Sequence, residues 1–246
     1  MRVTVLGRDG PYPAAGGACS GYLLAGEGGP VLLDCGPGIL ARLRQQVDVT
    51  HLAAVFYSHY HPDHVGDHFV LRYVLDIARR LGRGRDRPLP VYGPARPAHL
   101  AGRLPYKDVF EVHYLDEPAP LRIAGFQVSW LFTDHPLPCL ASRWEQGGRS
   151  LVYSADTGPG CAADLVRLAR GADLLLIEAS LLESRGQSAP GHLTARQAAG
   201  IAREAGVRRL LLTHLLPEND PEETLAEARA VFPGAALAEP GLVVEL

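Results

Sequence analysis

A chain of 246 residues that is 47% hydrophobic and 21% charged has the composition of an ordinary globular protein, long enough to bury a substantial core and read here as one domain over residues 1–246. Its net charge of −3 and sequence pI near 6.4 give no global field for nucleic acid, so any polyanion must be held locally. No run approaches the ~18 consecutive apolar residues of a membrane span, the start of the chain has no leader pattern, and Cys19, Cys35, Cys139 and Cys161 lack paired spacing, which together predict a cytoplasmic protein without disulfides or thiolate metal knots.

Short strands come first, over residues 3–6, 21–24 and 31–34, with turn residues such as Gly28, Gly29 and Pro30 between them. That pattern predicts an antiparallel opening. Residues 39–46 carry helical periodicity, and 53–57 form a short apolar run suited to a buried strand. Further on, Phe69, Tyr73, Val74, Ile77 and Leu81 recur at helical spacing and lead into Arg79, Arg80, Arg83, Arg85 and Arg87. This basic cluster reads either as a solvated helix end or as a phosphate-facing patch beside an active site. Residues 91–144 are mostly strands and Pro-rich connections, with 126–132 the clearest strand. The second half alternates: strand 150–154, helix 162–170, strand 174–178, helix 194–205, strand 210–213, helix 222–231. Thr194 with Gln197 fits a capping box, and Asp220 before Pro221 fits an N-cap followed by proline at the first helical position. No internal repeat or linker is visible in the sequence.

The chemistry concentrates in Ser58-His59-Tyr60-His61-Pro62-Asp63-His64, directly after the apolar strand. His59 and His61 are two residues apart, so an extended backbone points both rings to one side, while the turn at Pro62 carries Asp63 and His64 to a neighbouring position. A lone histidine here would read as a polar loop residue. Three imidazoles and a carboxylate on one tight loop read as ligands for two adjacent metal sites.

This HxHxDH cluster resembles the metallo-beta-lactamase superfamily, and the resemblance extends over nearly the whole chain. His135 in Asp134-His135-Pro136, Asp156 in Ser154-Ala155-Asp156-Thr157-Gly158 and His214 in Leu212-Thr213-His214 match the family's later motifs, each at or just beyond an expected strand. Taken singly, His135 or His214 could be a core histidine and Asp156 a turn residue. The resemblance implies an α/β fold, a four-layer αβ/βα sandwich of two mixed sheets with the metal pair at one edge. It further implies one metal on His59, His61 and His135, a second on Asp63, His64 and His214, and Asp156 bridging. Zinc suits such ligands, with manganese or iron able to compete. Two such ions would lie ~3.5–4 Å apart and share a metal-bound hydroxide as nucleophile, with Asp63 also able to take the water proton. Asp34 resembles the family's structural aspartate and is assigned a supporting role without metal contact.

Within the superfamily the chain is similar to the ribonuclease Z-like branch, on the segment from His135-Pro136-Leu137-Pro138 to Asp156-Thr157-Gly158 and on Gly191-His192-Leu193-Thr194-Ala195. The resemblance implies that His192 protonates a leaving oxygen and that Glu178 orients and charges its ring. Read without it, His192 is a loop histidine beside a helix cap and Glu178 a polar strand end. Only twenty residues separate His135 from Asp156, where ribonuclease Z carries the arm that grips tRNA, and Leu215-Leu216-Pro217-Glu218 lacks that branch's polar and basic residues. The expected substrate is therefore a small phosphodiester, or a nucleic-acid-derived one held differently from folded tRNA. A homodimer is expected by analogy. The rival activity is hydrolysis of a thioester, lactone or lactam, and the remote alternative is a non-catalytic metal-binding scaffold.

Overall fold

Two seven-stranded sheets face each other in a computed structural model that describes residues 1–246. In chain order the first half runs β1 (Arg2–Gly7), β2 (Gly21–Gly26), β3 (Gly29–Leu33), α1 (Ile39–Gln46), β4 (Ala54–Phe56), α2 (Pro62–Val65), α3 (His68–Arg80), β5 (Leu89–Pro94), α4 (Ala98–Ala101) and β6 (Phe110–Leu115). The second half runs β7 (Leu121–Ile123), β8 (Phe126–Phe132), β9 (Leu140–Gln146), β10 (Arg149–Tyr153), α5 (Ala162–Ala169), β11 (Leu174–Glu178), α6 (Ala195–Ala205), β12 (Leu210–Thr213), α7 (Pro221–Arg229), β13 (Ala235–Leu237) and β14 (Val243–Glu245). One sheet has the order β14-β1-β2-β3-β4-β5-β6 and the other β13-β12-β11-β10-β9-β8-β7.

Strand alternation explains the layers. Val31 and Leu33 point between the sheets, where they join Phe56, Phe126, Trp144, Leu151 and Tyr153, while Leu32 points outward to the layer of α1 and α3. On the other sheet Leu174 and Leu176 face inward, and Leu175 and Ile177 face α5, α6 and α7. Both faces of the central strands are buried, which is why they read as continuous apolar runs. The result is the expected four-layer sandwich of two mixed sheets. Each sheet has the same plan: antiparallel pairing up to β3 or β10, then parallel pairing onward from it. This structural repeat has no counterpart in the sequence.

Most expected elements are in place, including the antiparallel opening, the Thr194–Gln197 capping box and the Asp220 cap. The hairpin between β2 and β3 is tighter than the turn residues suggest, because Gly29 and Pro30 already belong to β3. The apolar stripe on α3 is a correction. Its buried face is His68, Leu71 and Leu75, whereas Tyr73, Ile77 and Leu81 of the expected stripe are 46%, 54% and 64% exposed. The helix is apolar on two sides, and packing on the sheet, which periodicity cannot see, selects between them.

His68 is buried in that interface, where its Nε2 donates to the carbonyl of Leu104 (3.0 Å) and its Nδ1 accepts from the Tyr57 hydroxyl (2.9 Å). Burial pushes its pKa down from 6.5 to about 4. The unfolded chain takes up this proton below about pH 6.5 and the native protein resists it until about pH 4, so the contribution is complete above that window and lost as pH falls through it, by about 3 kcal/mol. Denaturant unfolding of wild type and His68→Gln across this window is expected to show a shallower acid loss in the variant. Equal slopes would place the acid sensitivity elsewhere.

Candidate metal centre and its histidine–glutamate flank

The chemistry lies at the carboxyl ends of the parallel strands, where an α/β sheet leaves an open crevice. β3 leads into Asp34, β4 into the histidine loop, β10 into Asp156, β11 ends on Glu178, and β12 leads into His214. Three of the chain's five non-glycine residues with positive φ fall here: Asp34 (57°), Ala155 (52°) and His214 (51°). Left-handed backbone at such residues costs roughly 1 kcal/mol or more each and turns the chain sharply off the strand end. In the histidine loop, His61 caps α2 and Pro62 occupies its first turn, so Asp63 and His64 are presented from a short helix instead of a simple turn.

All seven expected ligands converge in two groups. His59, His61, His135 and Asp156 form one, and Asp63, His64, Asp156 and His214 the other, with Asp156 shared. In the first group His61 Nδ1 lies 2.9 Å from His59 Nε2 and 3.1 Å from His135 Nε2. In the second, His64 Nε2 is 3.4 Å from Asp63 and 3.3 Å from Asp156 Oδ1, and His214 Nε2 is 3.1 Å from Asp63 and 3.4 Å from Asp156 Oδ2. Tetrahedral ligands at zinc–nitrogen distances would stand about 3.3 Å apart. The donor spacing therefore fits a cation in each group. His64 Nε2 and Asp156 Oδ1 are buried with no hydrogen-bond partner, a state that is costly unless another ligand completes it.

The far nitrogens of these rings are fixed by partners. Asp34, fully buried, accepts from the Ser58 amide (2.7 Å), the Ser58 hydroxyl (2.7 Å), the Tyr153 hydroxyl (2.7 Å) and His64 Nδ1 (2.8 Å). Ser58 Oγ, its proton spent on Asp34, accepts from His59 Nδ1 at 3.1 Å. His135 Nδ1 donates to the Gly191 carbonyl (3.2 Å) and His214 Nδ1 to Ser180 Oγ (2.8 Å). Each of these four rings thus turns its Nε2 inward. Burial holds His59, His61 and His135 below the usual imidazole range and keeps them neutral. Burial opposes charge on His64 too, but Asp156, Asp63 and Asp34 around it push its pKa up. The second group is thus a carboxylate-rich pocket that favours positive charge.

Glu178 and His192 form the flank. Glu178 is fully buried, and its Oε1 accepts from His192 Nδ1 (2.9 Å) and the Thr157 amide (3.1 Å). Its Oε2 accepts from the Ser180 hydroxyl (2.7 Å) and amide (3.1 Å). Since Ser180 also receives His214 Nδ1, a single carboxylate orients both His192 and a candidate metal ligand. His192 stacks on His214 with ring centroids 5.4 Å apart and 9° between planes, and its Nε2 has no partner. Burial would lower the His192 pKa, but the bond to Glu178 raises it above the usual value.

Ser180, Ser58 and Tyr153 escape sequence reasoning, as do Gly10 and Gly191. A Cβ at Gly10 would stand 2.2 Å from His214 Nε2, and one at Gly191 would stand 2.8 Å from His135 Nδ1. These glycines let backbone close over the site. The basic cluster is a helix end: Arg79 pairs with Asp108, Arg80 with Asp76, and Arg85 donates to backbone carbonyls of Thr50 and Leu52. Arg79 lies about 17 Å along α3 from its start beside the site. Between His135 and Asp156 the chain holds only the β9–β10 hairpin. All four cysteines are free and buried, and no helix is long and apolar enough to cross a membrane.

Residues 30–215 match the family described as beta-lactamase superfamily domain. The chain is 35% identical to the probable metallo-hydrolase YhfI of Bacillus subtilis, over the full length of both. The crystal structure of that protein superposes with a TM-score of 0.94 at 34% identity, covering 100% of this chain and 99% of the other. A ribonuclease Z of Brevibacillus brevis is 32% identical over 97% of this chain and 95% of its own. The chain belongs to the metallo-beta-lactamase superfamily, in its ribonuclease Z-like branch.

Proposed function

We propose that this protein is a dinuclear metal-dependent hydrolase that cleaves phosphodiesters. His59, His61 and His135 would hold one divalent ion, Asp63, His64 and His214 the other, and Asp156 would bridge them, with zinc the best fit to the donor set and manganese or iron as competitors. Bound there, two divalent ions supply activation of water near neutral pH and polarisation of a phosphoryl oxygen. The observation that carries the phosphodiester reading is the Glu178–His192 pair on the flank of the ligand set. Glu178 fixes Nδ1–H, leaving Nε2–H to donate to a departing alkoxide oxygen. Asp63 faces His64 and His214 through Oδ2, which leaves Oδ1 to accept a hydrogen bond from the attacking water. A thioester, whose thiolate leaves readily without a proton, makes less use of such a donor. The reduced, buried cysteines fit a cytoplasmic setting.

The test is hydrolysis of bis(p-nitrophenyl) phosphate beside a thioester and a lactam, on zinc- and manganese-loaded protein of counted metal content. Turnover of the phosphodiester with about two ions per chain is the expected result. Turnover of the carbonyl substrates alone would move the activity to that class and leave His192 a structural residue.

A further inference from the structure

The basic residues of this acidic protein are concentrated in one stretch. Residues 68–108 contain nine Arg and Lys against three Asp, a local charge of +6 in a chain of −3, so the remainder carries −9. Where this stretch leaves the metal loop, its cations are interleaved with aromatic rings. The Arg72 guanidinium lies 5.6 Å from the Phe69 ring centroid, 4.9 Å from Tyr73 and 4.8 Å from Tyr106. Arg103 covers Phe69 at 4.9 Å, and Lys107 covers Tyr106 at 4.8 Å.

Two of these cations have no carboxylate partner. Lys107 is paired with Asp76, whereas Arg103 makes no ion pair and Arg72 donates only to the Tyr73 hydroxyl (3.2 Å), its buried Nε left without a partner. Arg103 and Lys107 are exposed, and Tyr73 is 46% exposed. The patch also follows the ligand loop directly along the chain. α3 starts four residues after His64, and Arg72 and Tyr73 lie only about 6–8 Å along it, whereas Arg79 and Arg80 are a further two turns away and neutralised. Planar guanidinium and ring faces with unpaired charge are the equipment that binds single strands: cations take phosphates, and flat faces take bases without regard to sequence.

We infer that Phe69, Arg72, Tyr73, Arg103, Tyr106 and Lys107 form a platform for single-stranded nucleic acid, holding the stretch of substrate next to the bond cleaved at the metal centre. The inference rests on the phosphodiester reading above. It gives this chain a local grip on a polyanion where the interval between His135 and Asp156 provides only a hairpin.

The probe is a fluorescein-labelled 12-nucleotide oligouridylate, followed by anisotropy on the metal-loaded protein over a range of salt, with its hydrolysis measured beside that of bis(p-nitrophenyl) phosphate. For Arg72→Gln/Arg103→Gln the Kd is expected to rise about tenfold. The slope of log K against log salt should become shallower by about 1.4, the share of two phosphate contacts on a single strand. The ratio of kcat/KM for the RNA to that for the small ester should fall by a factor similar to the loss of affinity. Arg103→Glu, an exposed change that leaves the stacked Arg72 in place, is expected to weaken binding at least threefold and guards against a folding artefact in the double variant. Wild-type affinity and salt slope in both variants would overturn the platform, as would equal losses on both substrates. Dissociation of a dimer by Arg103→Glu with RNA affinity unchanged would instead make the patch an interface between copies. If wild type cleaves neither phosphodiester yet binds the oligonucleotide through these arginines, the platform stands and the phosphodiesterase reading falls.

Discussion

His64→Ala is expected to yield a folded protein that loses bound metal, toward one ion per chain, and whose phosphodiester hydrolysis drops by roughly a thousandfold or more. Loss of a supporting partner of a ligand already costs about 10–100-fold in affinity or activity, and His64 is assigned a direct contact. Its Nε2 stands 3.3–3.4 Å from both Asp156 and Asp63 at the centre of the carboxylate-rich group. The fold should survive because Asp34, which accepts from the ring's other nitrogen, keeps three donors in the Ser58 amide, the Ser58 hydroxyl and the Tyr153 hydroxyl. The buried void left by the imidazole costs a few kcal/mol at most. Metal analysis, circular dichroism and hydrolysis of bis(p-nitrophenyl) phosphate measure the three parts. Full activity in a variant of reduced metal content would end the two-metal mechanism, and a collapsed dichroism spectrum would mean that His64 acts through the fold.

How far the sequence could be read depends on whether a feature is local. His59, His61, Asp63 and His64 lie within one loop, so their spacing alone speaks. His135, Asp156 and His214 gain meaning only through the resemblance to the family's later motifs, whose order and position at strand ends they match; taken singly, the residues around them leave each of the three open. The residues that fix the rings were invisible because their partners are remote: Tyr153 reaches Asp34 across 119 positions, and Ser180 reaches His214 across 34. A serine, a tyrosine or a glycine carries no mark of such a contact. α2 was hidden inside the ligand motif, and the three-residue edge strands β7, β13 and β14 are defined by pairing more than by periodicity. On α3 the pattern offered two apolar faces, and only the sheet beneath it selects Leu71 and Leu75.

His192→Ala separates the leaving-group role from the metal centre. Glu178 holds the ring by Nδ1, and the loop that carries His192 runs from Gly191, which binds His135, to the Thr194 cap of α6. The ring is therefore placed by backbone that stays when the side chain is removed. A p-nitrophenolate leaves readily without a proton, whereas a nucleoside alkoxide does not, so a general acid at this position matters only for the second. The variant is expected to hydrolyse bis(p-nitrophenyl) phosphate within a few-fold of wild type and an oligonucleotide about 10²- to 10⁴-fold more slowly, a barrier increase of about 3–5 kcal/mol. The loss should fall on kcat with little change in KM, because the donated proton matters in the transition state more than in the bound ground state. Metal content should stay at the wild-type level, since His214 keeps Ser180 as the partner of its Nδ1. Equal losses on good and poor leaving groups would remove the acid role and leave His192 as packing against His214. A fall in bound metal would assign it to support of the second ligand group instead.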